Sequence, residues 1–342
     1  MRNNFFRSSR HGNGCALVLI AMISFVIFIF IRTPTYRTAV TTRSEVDGRQ
    51  VVIESITNVG LHDENDASQP DVLRWDGTQW LKWPNLCIDK DFRNYTVADL
   101  YVPSGKIPFF VHEKSRDNFV SRMILKYHTF EPSDIKLMYD CLKEDEGMGL
   151  LDVGSHVGIY SATAALMNRK VITVDPLYMN VYAWCSSIVR NNFKDNVKIA
   201  YTIVSNMHRL MYFVTDGIRI GATRVFAAED QTEKVTPFDR KFTVSAMLDD
   251  LIPEITFKKI FMKLDVESHE FEVISGGSKL FKEFDVRYVL MEWVNHVNRD
   301  NVRDLMIKYG YKAFRTDGDK GAVDWKSPRR KPLYNVLWKK IN

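Results

Sequence analysis

From residue 148 onward the chain alternates short apolar runs with amphipathic stretches of helix length, and this alternation leaves few folds open. Leu150–Val153 reads as a strand, Gly158–Met167 as a helix, Lys170–Val174 as a strand, Tyr178–Phe193 as a helix and Val197–Val204 as a strand. The pattern resumes with strands at Ile260–Leu264 and Val286–Met291 on either side of a helix over His269–Phe281. A helix over Asn301–Tyr309 and closing strands at Lys312–Arg315 and Tyr334–Trp338 follow. Strands alternating with helices predict a mostly parallel sheet covered on both faces. Ligands of such sheets sit at the carboxyl ends of the strands.

Three features fall at those ends. Asp152-Val-Gly154-Ser155-His156-Val-Gly158 joins the first strand to the first helix. Glycines there allow a tight turn and close approach to a ligand, and the helix start offers free amide hydrogens and a positive dipole end. Asp175-Pro176 ends the second strand, where a carboxylate can accept hydrogen bonds from both hydroxyls of a ribose. The competing reading is a turn aspartate before proline. Lys263-Leu-Asp265-Val-Glu267 ends the fourth strand, and period-two alternation puts Lys263 and Asp265 on one face. Charged groups ending an apolar strand are costly unless solvated, paired or used. A structural ion pair between Lys263 and a carboxylate competes with a functional role.

Four segments carry a resemblance. Asp152–Gly158 (DVGSHVG), Val171–Pro176 (VITVDP), Val244–Leu251 (VSAMLDDL) and Phe261–Gly277 (FMKLDVESHEFEVISGG) occur in the order found in the FkbM family. The chain resembles that family over roughly residues 145 to 340, and the fourth segment is the most specific. The resemblance implies a Rossmann-like class I methyltransferase fold. Its sheet is seven-stranded and mostly parallel, with helices on both faces and the last strand antiparallel. It also implies S-adenosyl-L-methionine as cofactor and O-methylation as the reaction. Three departures stand out: Ser155-His156 where the family has Ala-Asn, Asp175 where glutamate is usual, and Ser268-His269 where Gly-Ala follows Glu267.

On this reading Gly154, Ser155 and Gly158 take the methionine end of the cofactor, and Asp152 orients their loop or meets the amino group. Asp175 holds the ribose, and Ile203–Asn206, with Val204 and Ser205, borders adenine. An alcohol acceptor loses its proton as it attacks, so a base within hydrogen-bond reach is useful. The candidates are Asp265, Glu267 and Glu292, ahead of His269 and His296, which read more readily as ordinary surface histidines. Asp265 with His269 would give a cation only two ligands, so no required metal is expected.

The chain opens differently. Cys15–Ile31 carries no charge and as a helix reaches about 26 Å, enough for a thin bilayer. It lacks a small-x-small cleavage site and reads as an uncleaved signal anchor. Residues 1–14 form a short tail, 15–31 the transmembrane helix, 32–85 a polar stem, 86–147 an extension packing on the core and 148–342 the methyltransferase domain. The tryptophans 75, 80 and 83 suggest that the end of the stem docks on the domain. Arginines flank the anchor almost evenly, so orientation rests on the design of single N-terminal anchors: type II, in the endoplasmic reticulum or Golgi, with a luminal catalytic domain. The Asn94-Tyr95-Thr96 sequon agrees with that. Four cysteines are too few for a disulfide scaffold, though a Cys87–Cys141 bridge is possible in a lumen.

The net charge of +5 argues against a dedicated nucleic-acid binder, and the basic run 326–331 reads as a solvated loop. The expected partners are a hydroxyl-bearing acceptor and the membrane. A dinucleotide oxidoreductase would want Gly-x-Gly-x-x-Gly, which the loop lacks. A type II glycosyltransferase would want Asp-x-Asp; Asp89-Lys-Asp91 and Asp317-Gly-Asp319 match literally but read as solvated loops. A non-catalytic binding protein on a methyltransferase scaffold is the remaining alternative.

Overall fold

The computed structural model describes residues 36–46, 49–59, 70–87, 95–216, 219–228, 242–293, 298–317, 321–325 and 333–341. In chain order, β1 (Tyr36–Val46) and β2 (Arg49–Val59) form an antiparallel pair, followed by β3 (Asp71–Trp75) and β4 (Trp80–Lys82). A second antiparallel pair, β5 (Tyr95–Val102) and β6 (Gly105–His112), leads to α1 (Val120–Tyr127) and α2 (Pro132–Lys143). The alternating part comprises β7 (Met148–Val153), α3 (Ile159–Leu166), β8 (Val171–Val174), α4 (Tyr178–Asn191) and β9 (Val197–Tyr201). Then come β10 (Leu210–Asp216), β11 (Arg219–Ala227) and β12 (Phe242–Val244), which make a separate three-stranded sheet. The chain closes with β13 (Lys259–Leu264), α5 (Glu270–Ser275), α6 (Ser278–Glu283), β14 (Asp285–Glu292), α7 (Arg299–Lys308), β15 (Tyr311–Arg315) and β16 (Asn335–Lys340).

The central sheet runs β15-β16-β14-β13-β7-β8-β9-β3-β4. Neighbours from β14 to β3 pair in parallel, whereas β16 is antiparallel to both β14 and β15, and β4 to β3. The strand count is therefore nine among the described residues, where the sequence suggested seven. The two added strands come from the end of the segment read as stem. Asp71–Trp75 lies beside β9, covers an edge that would otherwise expose unpaired amides, and buries Val72, Leu73 and Trp75. Five residues are too few to declare a period, so this pairing could not be read locally.

Alternation sorts the strand side chains between two cores. Leu150, Val171, Val197, Phe261 and Leu290 face the layer of α2, α3, α4 and the β5–β6 pair. Leu151, Val153, Ile172, Met262 and Val289 face α5, α6 and α7. Each such fully buried aliphatic contributes about 1.5–3 kcal/mol relative to exposure. The helix expected over 269–281 is two helices parted at Gly276-Gly277. A Cβ on Gly276 would lie 2.2 Å from the Ser205 carbonyl oxygen, so the chain bends where only glycine fits.

Cys87 is bonded to Cys185 of α4, not to Cys141, and their Cα atoms are 5.4 Å apart. Cys141 is a buried thiol on the core-facing side of α2. The expected membrane helix at 15–31 lies outside the described residues, as do Asp89, Asp91, Asn94, His296, Asp319 and the basic run 326–331. Among the described residues no helix is long and apolar enough to cross a membrane.

Candidate active site

The carboxyl ends of β7, β8 and β13 open onto one cleft. Val153, Gly154 and His156 form one wall, Asp175 to Leu177 and Asn180 the next, and Asp265 to Glu267 with His269 the mouth. Of the residues singled out by sequence, Gly154, Asp175, Ile203, Val204, Asp265, Glu267 and His269 line it.

Gly154 has φ +82°, and a Cβ built on it would lie 1.7 Å from the Asp265 carbonyl oxygen. Its amide donates to the Val174 carbonyl at 2.9 Å. The loop after β7 is thus folded close against β8 and β13 at Gly154. Asp152, Ser155 and Gly158 stand behind this wall. Asp152 is 1% exposed, accepts from Ser161 Oγ at 2.6 Å, and is pushed by burial up to about 6. The Ser155 carbonyl accepts from the Gly158 amide at 2.8 Å. Gly158 has φ +87° and starts α3; a Cβ there would strike the Trp184 ring at 2.4 Å.

Asp175 is 5% exposed. Its Oδ1 accepts from the Leu177 amide at 2.8 Å, its Oδ2 from the His156 amide at 2.9 Å, and Asn180 Nδ2 reaches both oxygens at 3.2 and 3.3 Å. Burial lifts its pKa to about 7 against the pull of these donors. A carboxylate has about four acceptor sites, and these donors engage both oxygens, with the single Asn180 nitrogen shared between them at the longest distances.

At the mouth, a carboxyl oxygen from each of Asp265, Glu267 and Glu292 lies within 4.8 Å of the others. Glu292 ends β14 and so enters from the strand beside β13. Burial and the neighbouring Asp265 raise Glu267 to about 7. Burial, Asp265 and Glu267 raise Glu292 to about 9. Like charges this close cannot all ionise, and they share protons unless a cation joins them. The cation at hand is Lys263, 2% exposed, with Nζ 2.9 Å from Asp265 Oδ2. Burial alone would lower its pKa, but Asp265 and Glu131 hold it above the ordinary lysine value. The ion-pair reading of Lys263 is the geometry observed.

Glu267 and Ser268 have φ of 53° and 80°. Two consecutive side-chain-bearing residues in the left-handed region cost about 1–2 kcal/mol each. Ser268 stands where the family places glycine, the residue this backbone favours. His269 Nε2 meets Ser205 Oγ at 3.0 Å, and burial, with Arg209 nearby, lowers its pKa to about 4. Neutral His269 thus braces the loop after β9. Ser205 is fully buried and does not face the cleft.

Residues 152–313 match the Methyltransferase FkbM domain model. Over this segment the chain is similar to the FkbM methyltransferase domain. No curated protein sequence matches it. Among solved structures it is similar to the O-methyltransferase from Bacillus cereus in complex with SAH, at 14% identity, over 65% of this chain and 88% of that chain, with a TM-score of 0.36. It is similar to magnesium protoporphyrin IX methyltransferase from Synechocystis PCC 6803 with bound SAM, at 14% identity over 66% and 85%, TM-score 0.35. It is also similar to the O-methyltransferase TomG from Streptomyces achromogenes with SAM, at 11% identity over 68% and 92%, TM-score 0.37.

The cleft has walls that local sequence did not reveal. Ile220, Gly221, Thr223 and Val225 of β11 roof it. The β10–β11 pair falls between Val204 and Ile260, where the sequence pattern assigns no element, and its docking over the cleft is tertiary. Asn180, one turn beyond Pro176, and the ring of His156 complete the wall. The only local hint of the latter was the replacement of the family's Ala-Asn by Ser155-His156.

Proposed function

We propose that this protein is an S-adenosyl-L-methionine-dependent O-methyltransferase acting on a hydroxyl of a glycan, lipid or small molecule. The observation that carries the reading is one cleft bounded by the turn at Gly154, the buried Asp175 carboxyl and a group of acids at its mouth. The fit to the cofactor rests on the space kept at Gly154 and on the Asp175 carboxyl lining the same cleft. Gly154 would lie against the methionine end, Asp175 would accept from the ribose hydroxyls, and Val204 with Ile203 would border the base. When bound, the cofactor supplies an electrophilic methyl group.

The protein's own contribution is position and proton handling. Glu267, with a pKa near neutrality, is suited to take the acceptor's proton at physiological pH. Asp265 is tied beside it to Lys263, whose Nζ lies 2.9 Å from its Oδ2. Glu292 holds its proton to about pH 9 and can donate a hydrogen bond to an acceptor oxygen. No resident metal is needed for these roles.

We place the domain in the lumen of the endoplasmic reticulum or Golgi, held by the apolar segment 15–31. The Cys87–Cys185 bridge supports an oxidising compartment. The test is incubation of the full chain with methyl-labelled cofactor and a membrane extract, followed by identification of the labelled product. A labelled hydroxyl supports the reading. Cofactor binding without transfer to any component would instead make this a binding protein on a methyltransferase scaffold.

A further inference from the structure

His112 ends β6, outside the segment that matches the family, and is 1% exposed. Its Nε2 stands 2.8 Å from Asn180 Oδ1, and Asn180 Nδ2 reaches the Asp175 carboxyl at 3.2 and 3.3 Å. Donor chemistry orders this relay. An ionised carboxylate only accepts, so Asn180 turns its amide hydrogens to Asp175 and its carbonyl to His112. A carbonyl only accepts, so the hydrogen of the His112 ring is on Nε2.

The relay is held from several sides. The His112 amide donates to Ser121 Oγ at 3.1 Å, and the Tyr95 ring packs on the imidazole at 5.5 Å. Tyr95 is itself fixed by donating to the Met179 carbonyl at 2.9 Å. Asn180 is 2% exposed, so water does not substitute for a lost partner. Without a donor at position 112 the buried amide oxygen has no partner, and a flipped amide would aim that oxygen at the Asp175 carboxylate.

We infer that His112 is a positioning residue for cofactor binding, holding Asp175 through Asn180 in the orientation that grips a ribose. The inference rests on the ribose role proposed above for Asp175. It makes the β5–β6 pair part of the cofactor site, although the family match begins only at Asp152.

The test compares S-adenosylhomocysteine with its 2′-deoxy counterpart by calorimetry on the full chain. His112→Met and His112→Gln have the same reach as histidine to Nε2, but only glutamine has a donor there. Wild type is expected to prefer the ribose form about tenfold, as one hydrogen bond to a charged group allows. His112→Met is expected to bring the preference within about twofold, and His112→Gln to keep it. Asn180→Ala, which breaks the relay nearer the carboxyl, should lose it as well. A ratio of affinities is read on folded molecules only, so partial unfolding does not mimic the result. Full preference retained in His112→Met or Asn180→Ala overturns the inference, as does its loss in both methionine and glutamine variants. No preference in wild type would refute the ribose role of Asp175 itself, and that outcome is visible before any substitution is made.

Discussion

The carbonyl oxygen of Asp265 occupies the place where a side chain on Gly154 would begin, 1.7 Å from the built Cβ. The two residues belong to loops that leave neighbouring parallel strands, β7 and β13, so the glycine turn and the acid-bearing turn are fitted to each other. Gly154→Ala must therefore move a backbone segment as well as adopt an unfavourable φ. We expect a loss of about 2–5 kcal/mol of stability, with S-adenosylhomocysteine binding lost in any folded fraction. Thermal denaturation and calorimetry on the same preparation check this. Wild-type affinity in a folded alanine variant would separate the turn from the ligand.

Asp175→Ala removes the acceptor for the Leu177 and His156 amides and for Asn180. Cofactor affinity should fall below calorimetric detection while far-ultraviolet circular dichroism stays native. Unchanged affinity would remove Asp175 from the ribose role.

Glu267→Gln should slow turnover by about 100-fold or more and change cofactor affinity little. With the acceptor identified, wild-type turnover should rise as pH passes about 7, where Glu267 loses its proton. The glutamine variant should lack that rise. An unshifted profile would place the base elsewhere.

Glu292 titrates at about 9 in the folded chain against an ordinary value of 4.5, so the native state binds more protons than the unfolded chain between those limits. Stability should fall as pH rises through this window. Glu292→Gln should remove part of the fall, gaining on the order of 1 kcal/mol at pH 8–9, a few degrees in Tm for a domain of this size. Melting curves at pH 5 and pH 9 test the sign. A variant less stable than wild type at the higher pH would contradict it.

The acid group at the mouth also invites a chelation test. We expect full turnover after exhaustive treatment with a chelator, because Lys263 already balances Asp265 and protons balance the rest. Reversible loss restored by magnesium would show that Asp265, Glu267 and Glu292 hold a cation instead.

Much of the architecture was legible from local pattern. Strands at 150–153, 170–174, 260–264 and 286–291 announce themselves because a buried parallel strand is a short apolar run, and apart from Lys170 their residues lie within β7, β8, β13 and β14. Gly154 and Asp175 were legible because their positions, just beyond those runs, place them at the mouth of any such sheet. What local pattern cannot carry is a partner chosen at a distance. Cys87 pairs with Cys185 across 98 residues, and spacing alone does not select it over Cys141. Asp71–Trp75 joins the sheet only because β9 offers a free edge, and β11 becomes a cleft roof only by docking there. The approach of Asp265, Glu267 and Glu292 needs β13 and β14 to be in parallel register, and His112 reaches Asn180 only across the packed β6–α4 contact. Periodicity reports which face of a segment meets the core. Which segment it meets there is decided by the packing of the whole chain.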